Sequence, residues 1–304
     1  MAPILTLTMS TFRSIYLKAI ASIMRLAQPC PVTSLSYNDV IQIPARDSSR
    51  TIKAHVYRPS SSERRSVSPV LINFHGSGFI LRWHGSDDYF CRLVADEANY
   101  TVLDIQYRLG PECPFPAAPN DAEDVVKYIL SRPSEFDPTH LSLSGFSAGG
   151  NLALGVAIAG TFPKGVFRSL LLFYPPTNFT IDPSLKMAPD PSGAPIPANV
   201  ARFFNQCYIG AQDPRCPLLS PALADVDRLP ENVLIITCAC DSLAPETESF
   251  AQRASEERGR GSFHLVSKRI DGVNHAWDKF TGKGSEGEKK RDEAYAMAIK
   301  LLER

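Results

Sequence analysis

The sequence GFSAGG places one serine among small residues where a strand should meet a helix. Gly145, Ser147 and Gly149 fit the pattern G-x-S-x-G. A serine on such a sharp turn projects its hydroxyl from the sheet edge, and the glycines remove the Cβ clashes that the turn would create. Residues 141–144 supply the strand and residues 148–160 the helix. The pattern predicts a nucleophilic serine, with a chance glycine-rich β–α turn as the alternative.

A glycine-rich loop, His75-Gly76-Ser77-Gly78, follows an earlier strand-like segment. Attack on an ester or amide creates an oxyanion, which preset backbone N–H groups stabilise. We assign these donors to Ser77, Gly78 and Ala148, and we expect His75 and Gly76 to support the loop. A phosphate-binding loop is the alternative, but neither G-K-[ST] nor the dinucleotide motif G-x-G-x-x-G is present.

A serine nucleophile needs a base, and the base needs a carboxylate that orients it. Among six histidines, His275 is the best candidate because it lies between the last strand-like segment and the C-terminal helical segment. Asp241 ends an apolar segment where turn amides can hold a short carboxylate; Glu246 and Asp271 are the alternatives. The order Ser147, Asp241, His275 is the chain order of α/β hydrolases.

The elements that must position these residues alternate along the chain. Short apolar, β-branched segments predict strands at 35–43, 51–57, 69–74, 101–107, 139–144, 168–174, 233–238 and 263–269. Helical patterns are found at 86–98, 117–131, 148–160, 246–257 and 287–303. Strands that alternate with helices predict an α/β fold with a mostly parallel sheet and helices on both faces. The first two strands, joined by a short turn, predict an antiparallel edge.

Two regions do not follow this alternation of strands and helices. Residues 175–232 are rich in Pro, Ser and Ala and include a short helical segment at 198–208, as expected of a lid or binding insertion. Residues 11–27 have Phe12, Tyr16, Ile20, Ile23 and Leu26 at helical spacing, interrupted by basic residues. That pattern predicts an amphipathic helix that does not span a membrane. We expect it to pack on the protein's own body, with binding at a membrane surface as the alternative.

Composition excludes several classes of function. Thirty-two basic and 32 acidic residues give a net charge of zero, without the basic excess of a nucleic-acid-binding protein. Seven cysteines, odd in number and without C-x-x-C pairs, argue against a disulfide framework or a zinc site. The N-terminus has no positively charged region that would begin a signal peptide. Reduced cysteines and the lack of such a signal predict a cytoplasmic protein.

Six stretches, in order, make residues 35–304 resemble the hormone-sensitive-lipase-like carboxylesterases with an HGGG loop. They are HGSGF (75–79), DIQYRLGPECPFPAAPND (104–121), GFSAGGNLAL (145–154), LSPALADVDRLP (219–230), DSLAPE (241–246) and GVNHAW (272–277). The resemblance implies an α/β-hydrolase fold with an eight-stranded sheet and a catalytic domain at 35–304. It also implies a cap, formed by an N-terminal region at 1–34 and an insertion at about 180–215. Members of this family often dimerise through an edge strand.

The resemblance also implies hydrolysis of short- to medium-chain esters by water without a metal or other cofactor. The family's nucleophile, acid and base correspond to Ser147, Asp241 and His275, and its oxyanion loop to Gly76–Gly78. This chain departs from the family at two positions. Ser77 replaces the middle glycine of the loop, and Phe146 replaces the aspartate that usually precedes the nucleophile. We expect Phe146 to reshape the floor of the substrate pocket, which Phe79 also lines.

The sequence therefore predicts a serine esterase acting on a small ester, such as an acetate of a specialised metabolite. Lactone opening, amide or formamide cleavage, and acyl transfer are alternatives that would use the same residues. A ligand-binding receptor on a hydrolase fold is a further alternative, but the family resemblance implies that such receptors usually lose the histidine. An adaptor docking through residues 11–27 is the last alternative.

Overall fold

The centre of the fold is a single eight-stranded sheet. The computed structural model describes residues 2–32, 34–60, 67–259 and 261–304, with side chains from residue 11 onward. The strands are β1 (Asp39–Pro44), β2 (Thr51–Tyr57), β3 (Ser68–Phe74), β4 (Thr101–Ile105), β5 (Phe136–Phe146), β6 (Ser169–Phe173), β7 (Asn232–Cys238) and β8 (His264–Ile270). Their spatial order is β1-β2-β4-β3-β5-β6-β7-β8. The pairs from β4 to β8 are parallel, and β1 and β2 form the antiparallel edge that the sequence predicts.

Helices cover both faces of this sheet. They are α1 (Ala2–Ala27), α2 (Asp88–Glu97), α3 (Ala117–Leu130), α4 (Ala148–Ile158), α5 (Ala198–Ile209), α6 (Ala244–Arg258) and α7 (Glu286–Leu302). Side chains alternate along each strand, so Leu170 and Leu172 of β6 join the core beneath α3, α4 and α6. Leu171 and Phe173 join the core beneath α2 and α7. Burial on both faces explains why these strands are almost continuously apolar.

The excursion between β6 and β7 contains α5 and short 3₁₀ turns, and it meets α1. Leu17 and Ala21 of α1 are buried and pack with Ile80 and Cys207, next to Phe204 of α5. The two segments assigned to a cap from sequence therefore contact each other. In the described part of the chain, no helix is both long and apolar enough to cross a membrane.

The face of α1 that packs on the body differs from the face the sequence suggested. Phe12, Tyr16, Ile23 and Leu26 are 62–84% exposed, whereas the opposite face, with Leu17 and Ala21, is buried. Small Ala21 allows α1 to lie close to its neighbours. Arg25 then fixes the orientation, because its guanidinium donates to the carbonyls of Ile80 and Gly110 and pairs with the Glu112 carboxylate. These polar contacts of Arg25, rather than the apolar pattern, determine which face of α1 packs on the body.

Candidate active site

Ser147 lies in a tight turn between β5 and α4, with φ 50° and ψ −119°. Its N–H donates to the carbonyl of Phe173 at 2.8 Å, which ties the turn to β6. A Cβ at position 145 would lie 2.2 Å from the carbonyl oxygen of Gly149, and one at position 149 would lie 1.9 Å from that of Phe74. Only glycine fits at these two positions, so the motif's glycines are required by the geometry that exposes the serine.

The side chains of Ser147, His275 and Asp241 form a continuous hydrogen-bonded row. His275 Nε2 lies 2.8 Å from Ser147 Oγ, and His275 Nδ1 lies 2.6 Å from Asp241 Oδ2. An ionised carboxylate only accepts hydrogen bonds, so Nδ1 carries the proton and Nε2 has its lone pair toward the serine hydroxyl. The N–H of Leu243 donates to Asp241 Oδ1 at 3.1 Å, and the carboxylate is fully buried.

The alternative acids do not reach the imidazole. Glu246 accepts from the N–H groups of Thr177 and Asn178 and pairs with Lys186 at 2.5 Å, while Asp271 is exposed. Burial raises the pKa of Glu246, but the Lys186 ammonium opposes that effect. These contacts hold the start of the excursion against α6.

The glycine-rich loop lies beside Ser147. In the described part of the chain, the backbone N–H groups of Ser77 and Gly78 have no protein acceptor. The Ser77 hydroxyl accepts from the N–H of Phe79 at 2.9 Å and lies 2.8 Å from the hydroxyl of Tyr107. Ser77 therefore adds hydrogen bonds within the loop that the family's glycine would lack.

His75 and Gly76 support this loop from below. His75 is buried, its Nδ1 lies 3.0 Å from the carbonyl of Gly76, and its ring stacks on that of Tyr107 with centroids 4.6 Å apart. A Cβ on Gly76 would lie 3.3 Å from the carbonyl oxygen of Phe146. Ala148 is the first residue of α4, so its N–H is one of the helix donors without an intrahelical partner.

Phe146 does not line the substrate cavity, contrary to the expectation from sequence. It ends β5 on the face beneath α2 and α7, where it is fully buried and stacks on Phe173 with centroids 4.4 Å apart. Residues of a strand alternate between faces, and this position falls on the face away from α4. Phe79 does line the cavity, stacked on Tyr208 of α5.

A buried cation lies over the Phe146 ring. Lys279 Nζ is 3.5 Å from the ring centroid, 2.8 Å from Asp87 Oδ1 and 2.9 Å from Asp278 Oδ2. Burial alone would lower the pKa of Lys279, but the two carboxylates outweigh burial and raise the pKa. Tyr174 links the cluster to the candidate base, since its hydroxyl donates to Asp278 Oδ1 at 2.6 Å and its ring meets that of His275 edge to face.

The cavity above Ser147 has a volume of about 780 Å³. Its walls come from Ala27 at the end of α1 and the following residues 28–31, from loop residues 76–79 and from parts of residues 194–208. Ser147 and His275 open into it, and most of the lining is apolar or aromatic. A concave apolar space with a few convergent polar groups has the character of a small-molecule site.

One group of side chains could be considered for a metal ion in the described part of the chain. Candidate ligand atoms of His55, His84 and Asp104 all lie within 4.8 Å of one another. However, the two imidazoles stack with centroids 3.9 Å apart and planes 24° from parallel. Imidazole binds metals through lone pairs in the ring plane, so stacked rings direct these lone pairs alongside each other rather than toward one point.

Asp104 leads to a prediction about pH and stability. Burial, and then the neighbouring Asp87, raises the pKa of the Asp104 carboxyl. The native state therefore holds a proton that the unfolded chain loses above its ordinary carboxyl pKa, so stability falls as pH rises between the two values. We expect Asp104→Asn to reduce the loss of stability between about pH 5 and pH 9 by at least about 1.4 kcal/mol, the equivalent of one pKa unit.

Urea unfolding of both proteins at the two pH values measures this difference. Asp96→Asn is the matched control, because Asp96 is a solvent-facing carboxylate on nearby α2 that accepts from the N–H of Ser60. Its pH profile should follow that of the unmodified protein. Parallel profiles for Asp104→Asn and the unmodified protein would show that Asp104 is ionised in the native state throughout this range.

Comparisons with known proteins agree with this fold. A model of the alpha/beta hydrolase fold matches residues 71–278. LipN, a carboxylic ester hydrolase of Mycobacterium tuberculosis, is 34% identical over 66% of this chain and 55% of its own length, so the chain spans little more than half of that relative. Ethyl acetate hydrolase of Pseudomonas putida is 28% identical over 83% of this chain and 78% of its own.

Solved structures give the same relationship. An esterase of Pyrobaculum calidifontis superposes with a TM-score of 0.75 at 28% identity, covering 97% of this chain and 92% of its own. The family match spans more than half of the chain and includes the serine turn, the glycine-rich loop and His275. The chain therefore belongs to the hormone-sensitive-lipase-like carboxylesterases, a family of hydrolases with the α/β-hydrolase fold.

Proposed function

We propose that this chain hydrolyses a small carboxylic ester with a short acyl group through an acyl-enzyme on Ser147. The observation that carries the proposal is the hydrogen-bonded row from Ser147 Oγ through His275 to Asp241, with contacts of 2.8 and 2.6 Å. The three side chains follow the carboxyl ends of β5, β7 and β8, and their geometry is the one that the proposed chemistry requires.

In the proposed acylation step, Ser147 Oγ attacks the ester carbonyl while His275 Nε2 takes the hydroxyl proton. Asp241 holds the imidazole and stabilises its charged form. The carbonyl oxygen becomes an anion, which accepts from the backbone N–H groups of Ser77, Gly78 and Ala148. The bond to the alcohol oxygen then breaks, and the imidazolium returns the proton to the leaving alcohol.

Deacylation repeats the sequence with water. His275 removes a proton from a water molecule as its oxygen attacks the acyl carbon, and the same N–H groups bind the second oxyanion. Collapse of this intermediate breaks the bond to Ser147 Oγ, which recovers its proton from His275. The products are a carboxylic acid and the alcohol, and the protein's residues provide every group needed for the proton transfers.

The cavity is large enough for an ester whose alcohol part is larger than its acyl part. Its volume of about 780 Å³ falls within the range of sites for drug-sized ligands, and Phe79, Phe204 and Tyr208 give it aromatic walls. We assign α1 and the segment at about 180–215 to a cap over the site, because residues from both line the cavity. The name of the Pseudomonas putida relative, ethyl acetate hydrolase, supports a short acyl group.

A series of p-nitrophenyl esters tests the proposal. We expect kcat/KM to be highest for the acetate or butyrate and at least about tenfold lower for the octanoate, because on this proposal the acyl group occupies the smaller part of the cavity and a long chain would compete with the alcohol part for space. Titration of the released acid separates hydrolysis from transfer of the acyl group to an added alcohol. A phosphonate ester should inactivate the enzyme and leave its phosphonyl group on the Ser147 peptide in a mass spectrum.

Heat-denatured protein controls for ester cleavage that needs no folded site. Equal or faster turnover of the octanoate would contradict the short-acyl assignment while leaving the serine mechanism intact. Phosphonylation at a serine other than Ser147, or inactivation without a serine adduct, would contradict the mechanism itself.

A further inference from the structure

Helix α1 has apolar side chains on two opposite faces. Leu17 and Ala21 face the body and are buried. Phe12, Tyr16, Ile23 and Leu26 lie about half a turn away and are exposed by 70, 62, 65 and 84%. A helix that is apolar on two sides is ordinarily buried on both, so the outer face lacks the cover that its composition calls for.

The charges on α1 indicate what covers that face. The helix sequence contains Arg13, Lys18 and Arg25 and no acidic residue. Arg25 forms an ion pair with Glu112 and hydrogen bonds with backbone carbonyls. Arg13 and Lys18 are exposed and make no ion pair within the described residues. Exposed cations beside an apolar stripe with Phe, Ile and Leu are the features of a helix that lies in the plane of a lipid interface.

We propose that α1 docks on an anionic lipid surface, with Phe12, Tyr16, Ile23 and Leu26 in contact with the acyl region and Arg13 and Lys18 with lipid phosphates. A second copy of the chain is a less suitable partner for this face of α1. Pairing two copies of this helix brings only like charges together, and the stripe covers about two heptads, fewer than the three or four that sustain a helix pair. Docking also differs from insertion, since α1 is not a membrane-spanning helix.

Docking would bring the cavity close to the lipid. Ala27 and Gln28, directly after Leu26, line the cavity, as does Phe280, which is 65% exposed. Apolar esters concentrate in lipid, so a cavity opening beside the docked helix would receive substrate from that phase. Docking of α1 on lipid does not depend on the proposed reaction.

Co-sedimentation of the full chain with vesicles tests the proposal. The vesicles contain phosphatidylcholine alone or with about 30 mol% phosphatidylserine, a content that gives an anionic surface. We expect binding to the anionic vesicles, a decrease of about a hundredfold in the partition coefficient for Ile23→Ser/Leu26→Ser, and a decrease of about fivefold for each charge removed by Arg13→Gln and Lys18→Gln. The charge variants should bind neutral vesicles as the unmodified protein does.

Leu223→Ser is the matched control, because Leu223 is 49% exposed on a 3₁₀ turn away from α1. It should leave vesicle binding unchanged, and all the variants should hydrolyse a soluble short-chain ester at the unmodified rate, since none of these side chains lines the cavity. Lack of binding to anionic vesicles by the unmodified protein overturns the proposal. So does a dimer in sedimentation velocity that Ile23→Ser/Leu26→Ser dissociates, because a second copy then covers the face.

Discussion

Replacing Ser147 with alanine is expected to lower kcat for p-nitrophenyl acetate by about a millionfold. The variant loses the oxygen that forms the acyl-enzyme, and His275 then has no hydroxyl at 2.8 Å to activate. The loop N–H groups and the cavity remain, so slow turnover above the rate in water should persist. Steady-state kinetics with an active-site titrant measures the change, because the titrant corrects for trace contamination by active enzyme.

Ser142→Ala is the control for this substitution. Ser142 is a buried serine on β5, the strand that leads to Ser147, and it does not line the cavity, so its loss should change kcat by less than about threefold. Both variants should retain the circular dichroism and melting behaviour of the unmodified protein. A Ser147→Ala variant that keeps a tenth or more of the activity would exclude Ser147 as the nucleophile.

The residues of the proposed site could be proposed from sequence because each belongs to a local pattern or follows a predicted strand. Ser147 lies in a five-residue motif whose glycines are fixed by backbone contacts, and the loop at 75–78 is equally local. Asp241 and His275 each follow a strand of the parallel sheet. The carboxyl ends of parallel strands lie at one edge of the sheet, so finding the strands was enough to bring these residues together.

The cluster around Lys279 could not be found in this way. Asp87 precedes α2, Tyr174 follows β6 and Tyr295 lies on α7, so no spacing rule connects these residues with Lys279. The available signal was the charged pair Asp278–Lys279, which stands between the aromatic residues Trp277 and Phe280. Position along β5 was a second signal, which indicated that Phe146 faces α2 and α7 rather than the cavity. Phe146 shares a strand face with Ser142 and Ser144, whereas Leu143 lies on the other face.

The orientation of α1 was missed for a related reason. Apolar periodicity identifies the faces of a helix but not which of two apolar faces meets the body. Here Arg25 determines which face of α1 meets the body, through hydrogen bonds to groups 55 to 87 residues away in sequence. Apolar periodicity compares the faces of a helix by hydrophobicity alone, so it cannot detect long-range polar contacts of this kind.

Replacing Lys279 with methionine is expected to destabilise the protein by about 3–5 kcal/mol at about pH 8. Methionine has a similar length, so packing against the Phe146 ring is largely kept and the main loss is the charge. Asp87 and Asp278 then face each other in a buried site without a cation. The loss should be smaller near pH 5, where protonation of a carboxyl relieves part of the repulsion. Urea unfolding at both pH values measures the two losses.

Lys289→Met is the matched control, because Lys289 lies on α7 with a side chain that is 69% exposed in an ion pair with Glu286. Its effect should stay within about 0.5 kcal/mol at either pH. Adding Asp87→Asn to Lys279→Met removes one of the two opposed charges, so the double variant should recover part of the stability that the single variant loses. A destabilisation equal at both pH values and unrelieved by Asp87→Asn would mean that Lys279 stabilises this core through packing, and that its charge is balanced by other groups.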